Sequence, residues 1–263
     1  MFSYIDKSIR EKLKNDDRLI SLNREGKPVG EGEAAWLSLL GPIPMPRTIA
    51  GKEVTLHWYP FVRRVELTKV LDAAAGVKGA GSEAFRELIQ TNMSVNSVLA
   101  LPGSEKVEKP LVRVHSCCLT GDVFGSLRCE CGPQLQKAFE MMVEEGHGMV
   151  VYMTGHEGRG IGLWAKAVTY LLQDDGQDTY QANVSLGLPE DSRDFTDAAV
   201  VLRYLVNGRP IRLLSNNPFK KKQLVEAGQE VAEVVPFLTG VSQYNERYLK
   251  SKRSKGHFLP EDV

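Results

Sequence analysis

From about residue 93 onwards, short apolar segments alternate with amphipathic ones, and this alternation restricts the fold more than any other feature. The strand candidates are 98–101, 111–116, 148–154 and 211–214. The helical patterns are 133–146, about 163–173, 194–206 and 220–228. Strands that alternate with helices favour a mostly parallel sheet covered on both faces. The chain is therefore predicted to have an α/β fold.

Three polar stretches directly follow predicted strands. They are RVHSCC (113–118), GHEGRGIG (155–162) and SNNPFKKK (215–222). In open α/β sheets, ligands bind outside the carboxyl ends of the strands. We therefore expect the ligand chemistry where these three stretches converge.

Charge and hydropathy restrict the partners and the compartment. Lys plus Arg and Asp plus Glu both number 33, so overall charge gives no reason to expect nucleic acid or an anionic membrane as partner. No run approaches the roughly 18 apolar residues of a membrane span, and the charged N-terminus lacks an apolar signal-peptide core. The expected location is cytoplasmic, where thiols stay reduced and clustered cysteines favour a metal or catalytic site.

All four cysteines lie between residues 117 and 131. The spacing C-x10-C-x-C from Cys118 suits a soft divalent metal ion, most simply zinc. Because neighbouring residues on an extended strand point to opposite faces, Cys117 and Cys118 are not expected to bind one ion. This favours three protein ligands and an open position, as in catalytic zinc sites. The alternative is a structural site with His115 as fourth ligand.

The other polar stretches each allow two interpretations. The glycine-rich loop with Glu157 and Arg159 could bind phosphate at a helix N-terminus, or could be a tight strand-to-helix turn. Asp191 and Arg193 could form a catalytic pair, or the acid could cap the next helix. The lysines at 220–222 could bind phosphate, or could form a solvated basic turn.

Together these stretches closely resemble the GTP cyclohydrolase II family. The matching motifs are RVHSCCLTGDVFGSLRCECGPQL (113–135), HEGRGIGL (156–163), LQDDGQDTYQAN (172–183), LGLPEDSRDF (186–195), RLLSNNPFK (212–220), NERYL (245–249) and KGHFL (255–259). The resemblance covers roughly residues 93–260, with a weaker similarity at 44–62. Seven motifs in one order are more specific than any one of them.

The resemblance implies a fold, a reaction and cofactors. The fold is a three-layer α/β/α core with a mixed, mostly parallel sheet. The reaction is zinc-dependent hydrolytic opening of the imidazole ring of GTP, the first step of riboflavin biosynthesis. It releases formate and pyrophosphate and leaves 2,5-diamino-6-ribosylamino-4(3H)-pyrimidinone 5′-phosphate. One Zn²⁺ per subunit, Mg²⁺ on the triphosphate and a homodimer are also implied.

The resemblance also assigns roles to individual residues. Cys118, Cys129 and Cys131 match the zinc ligands. Asp191 matches the proton acceptor, Tyr170 matches a tyrosine near the opening ring, and Arg193 matches the residue assigned as nucleophile at phosphorus. Because a guanidinium stays protonated, we expect Arg193 to stabilise phosphate charge instead. The residues that match nucleotide contacts are Arg113, Val114, His115, Ser116, Cys117, Gln134, Glu157, Gly158, Arg159, Thr179, Ser215 and Lys220.

Three positions depart from the family pattern. Cys117 replaces the usual glutamate, His156 the usual glutamine, and Ser215 the usual threonine. The first two changes motivate an alternative function, in which a paralogue acts on another purine or pyrimidine compound, for example in pyrimidine catabolism. A second alternative is a nucleotide-binding zinc protein without turnover, against which the intact Asp191 and Arg193 argue.

The chain is predicted to have two parts. Residues 1–43 are interpreted as an N-terminal extension, and residues 44–263 as the catalytic domain of the family. Within that domain, residues 54–58 are predicted to form a strand. An insertion near 63–92 has a helical pattern over 66–90, which glycines interrupt at 76–81.

Overall fold

The computed structural model describes residues 7–32, 34–66 and 94–259. Its strands are β1 (Leu19–Leu22), β2 (Pro28–Val29), β3 (Leu37–Leu40), β4 (Ile43–Ile49), β5 (Lys52–Arg63), β6 (Asn96–Ala100), β7 (Leu111–Ser116), β8 (Met149–Met153), β9 (Ile211–Leu214) and β10 (Val231–Val235). Its helices include α1 (Lys7–Asn15), α2 (Leu119–Asp122), α3 (Cys131–Glu145), α4 (Leu163–Asp174), α5 (Gln181–Ser185), α6 (Thr196–Leu205), α7 (Pro218–Glu226) and α8 (Glu246–Ser254). None of the helices in these ranges is long and apolar enough to cross a membrane.

All ten strands belong to one mixed sheet. Their order is β10-β9-β7-β8-β6-β5-β3-β1-β2, and β4 pairs with β5 outside this path. The ladders β10/β9, β9/β7 and β7/β8 are parallel, whereas the other ladders are antiparallel. The prediction of a mixed α/β sheet is confirmed. The expectation that the sheet is mostly parallel is wrong outside the four strands β10, β9, β7 and β8.

Short connections explain the antiparallel half. A parallel pair needs a crossover of a dozen or more residues, and the links among β1 to β5 are shorter than that. The hairpin between β4 and β5, for example, turns at Ala50 and Gly51, whose φ angles are 48° and 76°. Positive φ at both central residues matches the right-handed twist of the strands.

Two hydrophobic cores lie on opposite faces of the sheet. On one face, Val112 and Val114 of β7 pack in a core with Val200 of α6. On the other face, Leu111 packs in a core with Phe139 and other residues of α3. Helices therefore cover both faces, as the three-layer prediction states. Because side chains alternate along a strand, Arg113 and His115 lie on the same face as Leu111.

Most predicted elements of the second half of the chain have the observed bounds to within two residues. Strands β7 and β9 match the predictions, and α3 begins at Cys131, two residues before the predicted start. It ends where Gly146 adopts a left-handed conformation with φ of 73°. Asn217 caps α7 by accepting a hydrogen bond from the Phe219 amide.

The predicted N-terminal extension contributes strands to the same sheet. Strand β3 pairs with β5, and β1 and β2 continue the sheet beyond it. The strand predicted over 54–58 lies within the longer β5. Of the insertion predicted near 63–92 and the helical pattern predicted over 66–90, everything beyond residue 66 lies outside the described residues.

Candidate active site

The three polar stretches meet at one edge of the sheet, at the carboxyl ends of β7, β8 and β9. Two adjoining cavities lie there. The first, the thiol cavity, is lined among others by Cys118, Cys129, Cys131, Glu157, Lys166, Tyr170 and Thr179. The second, the cationic cavity, is lined among others by Arg113, His115, Gln134, Ser215, Lys220 and Lys252. Both are lined by Ser116, Cys131, Arg159, Arg193 and Tyr248.

Three cysteines form a compact cluster. The Sγ atoms of Cys118, Cys129 and Cys131 all lie within 4.8 Å of one another, and the first two are 3.6 Å apart. A Cβ at Gly121 would lie 2.9 Å from the Sγ of Cys129, so this glycine makes room for the thiols. Within the described ranges, no other group of His, Cys, Asp and Glu side chains is placed to hold a metal ion. The cluster could hold a soft divalent ion such as zinc.

The pKa values of the clustered thiols are shifted in opposite directions. Hydrogen bonds from Cys129 and Cys131, together with the charge of Lys166, lower the pKa of Cys118. The same hydrogen bond raises the pKa of Cys129 to about 12, because it donates to Cys118. The Nζ atom of Lys166 lies 3.2 Å from the Sγ of Cys118. Since metal binding requires thiolates, a divalent ion would displace the remaining thiol protons.

Two neighbours in the sequence lie outside the cluster. The Sγ of Cys117 faces the Glu157 carboxylate at 3.7 Å, and burial raises the pKa of this thiol to about 11. The Nε2 atom of His115 lies 3.1 Å from Asp122 Oδ1, and His115 is not among the grouped ligands. A structural zinc site with His115 as fourth ligand is therefore not what the geometry presents.

Asp122 links the strand end to the cysteines. Its Oδ2 accepts hydrogen bonds from the Cys118 amide at 3.0 Å and from the Tyr152 hydroxyl at 2.8 Å. His115 stacks on Tyr152 with ring centroids 5.5 Å apart. Burial lowers the pKa of His115, so the ring is neutral near pH 7. Asp122 thus fixes both the position of this ring and the backbone at the first thiol.

The glycine-rich loop after β8 is a tight strand-to-helix turn. Gly158 and Arg159 both adopt left-handed φ angles, of 60° and 65°. The carboxylate of Glu157 accepts hydrogen bonds at 2.7 Å from both the Leu119 amide and Lys166 Nζ. The Arg159 guanidinium stacks 3.8 Å from the centre of the Tyr180 ring. Of the two interpretations offered for this loop, the backbone has the conformation of a tight strand-to-helix turn. This turn places Glu157 and Arg159 in the lining of the thiol cavity.

Asp191 and Arg193 form a pair next to the thiol cavity. The Nε of Arg193 donates to Asp191 Oδ1 at 2.8 Å, and its NH1 donates to Ser116 Oγ at 3.3 Å. The amide at the start of α6 bonds instead to Asp194, so Asp191 is not the helix cap. Burial alone would raise the pKa of Asp191, but the hydrogen bonds and charge of Arg193 outweigh it and lower the pKa.

His156 is held at both ring nitrogens. Its Nδ1 lies 3.3 Å from Ser116 Oγ, and its Nε2 lies 3.0 Å from the Asp194 carbonyl oxygen. Burial, and next the charge of Arg193, lower the pKa of His156 to about 4. The imidazole is therefore neutral near pH 7 and joins the end of β7 to the loop before α6.

Buried polar groups line the cationic cavity. Arg113 donates to the Leu214 carbonyl at 3.0 Å and to Gln134 Oε1 at 2.7 Å. The Nζ of Lys220 donates at 2.6 Å to the carbonyl of Val114, whose side chain packs in the core on the other face. Burial, followed by the charges of Arg113 and Arg193, holds the pKa of Lys220 well below its ordinary value. Lys220 is thus a buried site residue, unlike the exposed lysines at 221 and 222.

The remaining predicted residues also lie at this edge. The hydroxyl of Tyr170 lies 3.0 Å from Thr120 Oγ1, and Thr179 lines the same thiol cavity. Ser215 is buried, and its Oγ accepts a hydrogen bond from the Asn217 amide at 3.1 Å. The structure therefore brings the predicted metal, catalytic and nucleotide-contact residues to one edge of the sheet, except that the Val114 side chain packs in the core on the other face.

Several residues of the site were given no role in the sequence predictions. They are Thr120, Asp122, Glu130, Lys166, Tyr248 and Lys252. Lys166 lies on an amphipathic helix, where a lysine is usually solvated. Asp122 and Thr120 follow Cys118 too closely to be distinguished from turn residues. The signal that could have found Glu130 is its position between two candidate metal ligands.

Comparison with known proteins gives one consistent result. Riboflavin biosynthesis protein RibBA of Nocardia farcinica is 55% identical over 153 residues, which cover 58% of this chain and 37% of that protein. RibBA of Mycolicibacterium paratuberculosis is 45% identical over 199 residues, covering 75% of this chain and 46% of the relative. RibBA of Cytophaga hutchinsonii is 47% identical over 177 residues, which cover 67% of this chain and 43% of that protein. The chain thus spans less than half the length of these relatives.

A family model matches more than half of the chain. The model describes GTP cyclohydrolase II, and the match extends over residues 81–236. That range contains the three clustered cysteines, the Glu157 loop, the Asp191–Arg193 pair and Lys220. By sequence and by the residues assembled at its sheet edge, the chain belongs to the GTP cyclohydrolase II family, a family of hydrolases.

Proposed function

We propose that this protein opens the guanine imidazole ring of GTP by hydrolysis and releases formate and pyrophosphate, the first step of riboflavin biosynthesis. Family membership supports this proposal. The observation that carries it is the shared cavity: the three-thiol cluster, Tyr170 and Arg193 line one space. A metal centre for ring hydrolysis and a cation for phosphate chemistry are thus available to one nucleotide.

We infer that Cys118, Cys129 and Cys131 hold one Zn²⁺. Their sulfur atoms lie within 4.8 Å of one another, and Gly121 leaves the space that a larger residue would fill. Three thiolates and an open fourth position are the donor set of a catalytic zinc site. An ion held by these three residues would supply Lewis-acid activation of water at this site.

Two charged pairs have separate tasks in this proposal. Asp191 is ionised near pH 7 because Arg193 lowers its pKa, so its carboxylate can accept a proton. Arg193 donates to Ser116 from one nitrogen and can stabilise charge on a phosphate. Glu157 accepts from the Leu119 amide and from Lys166, and so orients the backbone that follows the first thiol.

Two residues near the base, His156 and Cys117, depart from the family pattern, and they differ in how much they bear on the choice of substrate. Both nitrogens of His156 are engaged by Ser116 and Asp194, which supports a role in holding loops rather than in choosing a base. Cys117 faces the cavity as a neutral thiol because burial raises its pKa to about 11. The Glu157 carboxylate lies 3.7 Å from this thiol, but the family pattern already contains that glutamate, so it does not replace the one missing at position 117. The proposal of GTP rather than another purine or pyrimidine compound is supported by the family match and by the relatives named as riboflavin biosynthesis proteins.

The phosphate groups are assigned to the basic side of the site. Arg113, Arg159, Arg193 and Lys220 line the cationic cavity, and phosphate oxygens accept hydrogen bonds from such donors. Mg²⁺ would be bound with the triphosphate, whose charge it neutralises. We also infer a homodimer, which light scattering of the purified protein would measure directly.

A product assay tests the proposal. Zinc-replete protein is incubated with GTP and Mg²⁺, and formate, pyrophosphate and the absorbance of the ring-opened product are followed. We expect formate and pyrophosphate in equal amounts. ATP, which has the same phosphates and a different base, is the matched control and should release neither product.

The other outcomes distinguish the alternatives. Formate without pyrophosphate would mean a partial reaction. Release of a product from another purine or pyrimidine compound, but not from GTP, would support the paralogue. Tight binding of zinc and GTP with neither product would show a nucleotide-binding protein without turnover, and would end the proposal of an enzyme acting on GTP.

A further inference from the structure

Helix α8 and the residues that follow it lie against the cationic cavity. This segment, residues 246–259, is outside the range 81–236 that matches the family model. Tyr248 and Lys252 lie four residues apart, so they share one face of α8, and both line the cavity. Beyond the helix, the Phe258 amide donates to the Asn216 carbonyl at 2.9 Å, in the loop after β9. The segment is thus attached to the site at both ends.

Lys252 reaches a buried carboxylate beside the cysteine cluster. Its Nζ forms a hydrogen bond with Glu130, which lies between Cys129 and Cys131. The Lys252 side chain is 14% exposed and that of Glu130 is 1% exposed. An ammonium group has three donor hydrogens, and Glu130 engages one of them. The ammonium also lies 4.5 Å from the centre of the Tyr248 ring, and its remaining hydrogens can donate to a ligand in the cavity that Lys252 lines.

The cationic cavity has more positive than negative charge. Lys252 pairs with Glu130 and Arg193 with Asp191, whereas Arg113, Arg159 and Lys220 have no carboxylate partner among the described residues. The buried Nε of Arg113 and NH2 of Arg159 also have no hydrogen-bond acceptor there. Burial of cations without a counter-charge is costly, so the cavity favours an anion.

The pKa of Lys220, on α7, is affected by the same excess of positive charge. Burial lowers the pKa of Lys220, and the charges of Arg113, Arg193 and Lys252 lower it further. A negatively charged ligand beside these groups would offset their mutual repulsion. Lys252 therefore belongs to a group of basic side chains whose mutual repulsion an anion in the cavity would reduce.

We propose that Lys252 of α8 is a further binding residue for the polyphosphate groups of the nucleotide. The inference rests on the proposed function, since it deepens the assignment of the same site. Glu130 holds the Lys252 ammonium at the cavity, and the free donor hydrogens of the ammonium bind phosphate oxygens. Helix α8 thereby becomes part of the substrate site.

The test measures binding of inorganic pyrophosphate with Mg²⁺ to the full, zinc-replete chain by calorimetry. Lys252→Ala should bind pyrophosphate at least about tenfold more weakly than the wild type, a difference of about 1.4 kcal/mol. Lys250→Ala is the matched control, because Lys250 is exposed on the same helix and undergoes the same side-chain change. It should bind as the wild type does. The zinc content of all three proteins should be equal.

Each other outcome contradicts the assignment. Wild-type pyrophosphate affinity with a reduced zinc content in Lys252→Ala would mean that Lys252 acts only on the cysteine cluster through Glu130. Failure of the wild type to bind either pyrophosphate or GTP would overturn the proposed function as well. If Lys252→Ala does not fold, Lys252→Arg and Lys252→Gln decide the matter. The arginine variant should keep the affinity, and equal affinities of the two would overturn the proposal.

Discussion

At the scale of single residues, His156 has an environment that links stability to pH. The ring is buried, its neighbours include the Arg193 cation, and its pKa falls from 6.5 to about 4. Glutamine, the residue that the family resemblance expects here, could make similar hydrogen bonds without titrating. Replacement of His156 therefore isolates the effect of one proton.

We predict that His156→Gln reduces the loss of stability in mild acid. Between pH 6.5 and 4 the unfolded chain binds a proton at this histidine and the folded chain does not, so the free energy of unfolding falls as the pH falls. From pH 7 to 5 this single residue should cost about 2 kcal/mol. Urea denaturation of the wild type and the variant at both pH values measures the difference. An identical fall in the two proteins would show that His156 accepts a proton in the folded state.

Residues of the site differ in how far the sequence could reveal them. Cys118, Cys129 and Cys131 could be identified from the sequence because three thiols at short spacing suit a soft divalent metal ion. Lys166 could not be identified from the sequence, because it is 48 residues from Cys118. Only the packing of α4 brings its Nζ to 3.2 Å from that thiol. Lys252 and Glu130, 122 residues apart, form their pair for the same reason. Contacts made by the packing of helices have no local pattern.

At the scale of elements, β5 and α6 are joined by an ion pair near the site. The Nε of Arg63 donates to Asp197 Oδ2 at 2.7 Å, and the Trp36 indole donates to Asp197 Oδ1 at 3.0 Å. Arg63 also donates to Asp194 at 2.6 Å, and the Asp194 carbonyl oxygen faces His156. Strands from the N-terminal part of the chain thus hold the loop that carries Arg193.

We predict that Arg63→Met lowers the free energy of unfolding by about 1–3 kcal/mol, because the buried Asp197 carboxylate loses its charged partner. Methionine keeps the length of the aliphatic stem. Lys12→Ala, which removes the exposed Lys12–Asp16 pair, is the control and should change stability by less than about 1 kcal/mol. Chemical denaturation at pH 7 compares the two. Equal effects would mean that the Arg63–Asp197 pair adds nothing beyond a surface ion pair.

Strand β4 shows one physical reason why an element was not predicted from the sequence. Pro44 and Pro46 interrupt the pattern of β4, and proline disfavours a strand because it cannot donate to the ladder. Here both lie in a strand that pairs only with β5 in the described sheet. The predicted strands β7 and β9, by contrast, are short apolar runs bounded by polar turns. For β4, pairing with β5 rather than local preference decided the structure.

At the scale of the whole molecule, the sheet has two halves with different tasks. The parallel strands β10, β9, β7 and β8 end at the cavities, as ligand sites in open α/β sheets do. The antiparallel strands extend the sheet away from that edge and hold the Arg193 loop through Arg63. In the first half, β7, β8 and β9 were predicted because strand–helix alternation has a known geometry, whereas β10 was not predicted. For the second half the sequence predicted a mostly parallel sheet, which is wrong for these antiparallel pairs.

In the proposed reaction, ring opening depends on a metal ion held by Cys118, Cys129 and Cys131. Cys129→Ser removes one of these thiols, whereas Cys117→Ser changes a neighbouring thiol that lies outside the cluster. Both variants replace a thiol by a hydroxyl in the lining of the same cavity, and only Cys129→Ser removes a member of the cluster.

The most direct measurement is zinc content together with formate released from GTP by the wild type and these two variants. We predict one zinc per chain in the wild type and in Cys117→Ser, and in Cys129→Ser a loss of both zinc and formate release with the fold retained by circular dichroism. Formate release by zinc-free Cys129→Ser at the wild-type rate would contradict the account.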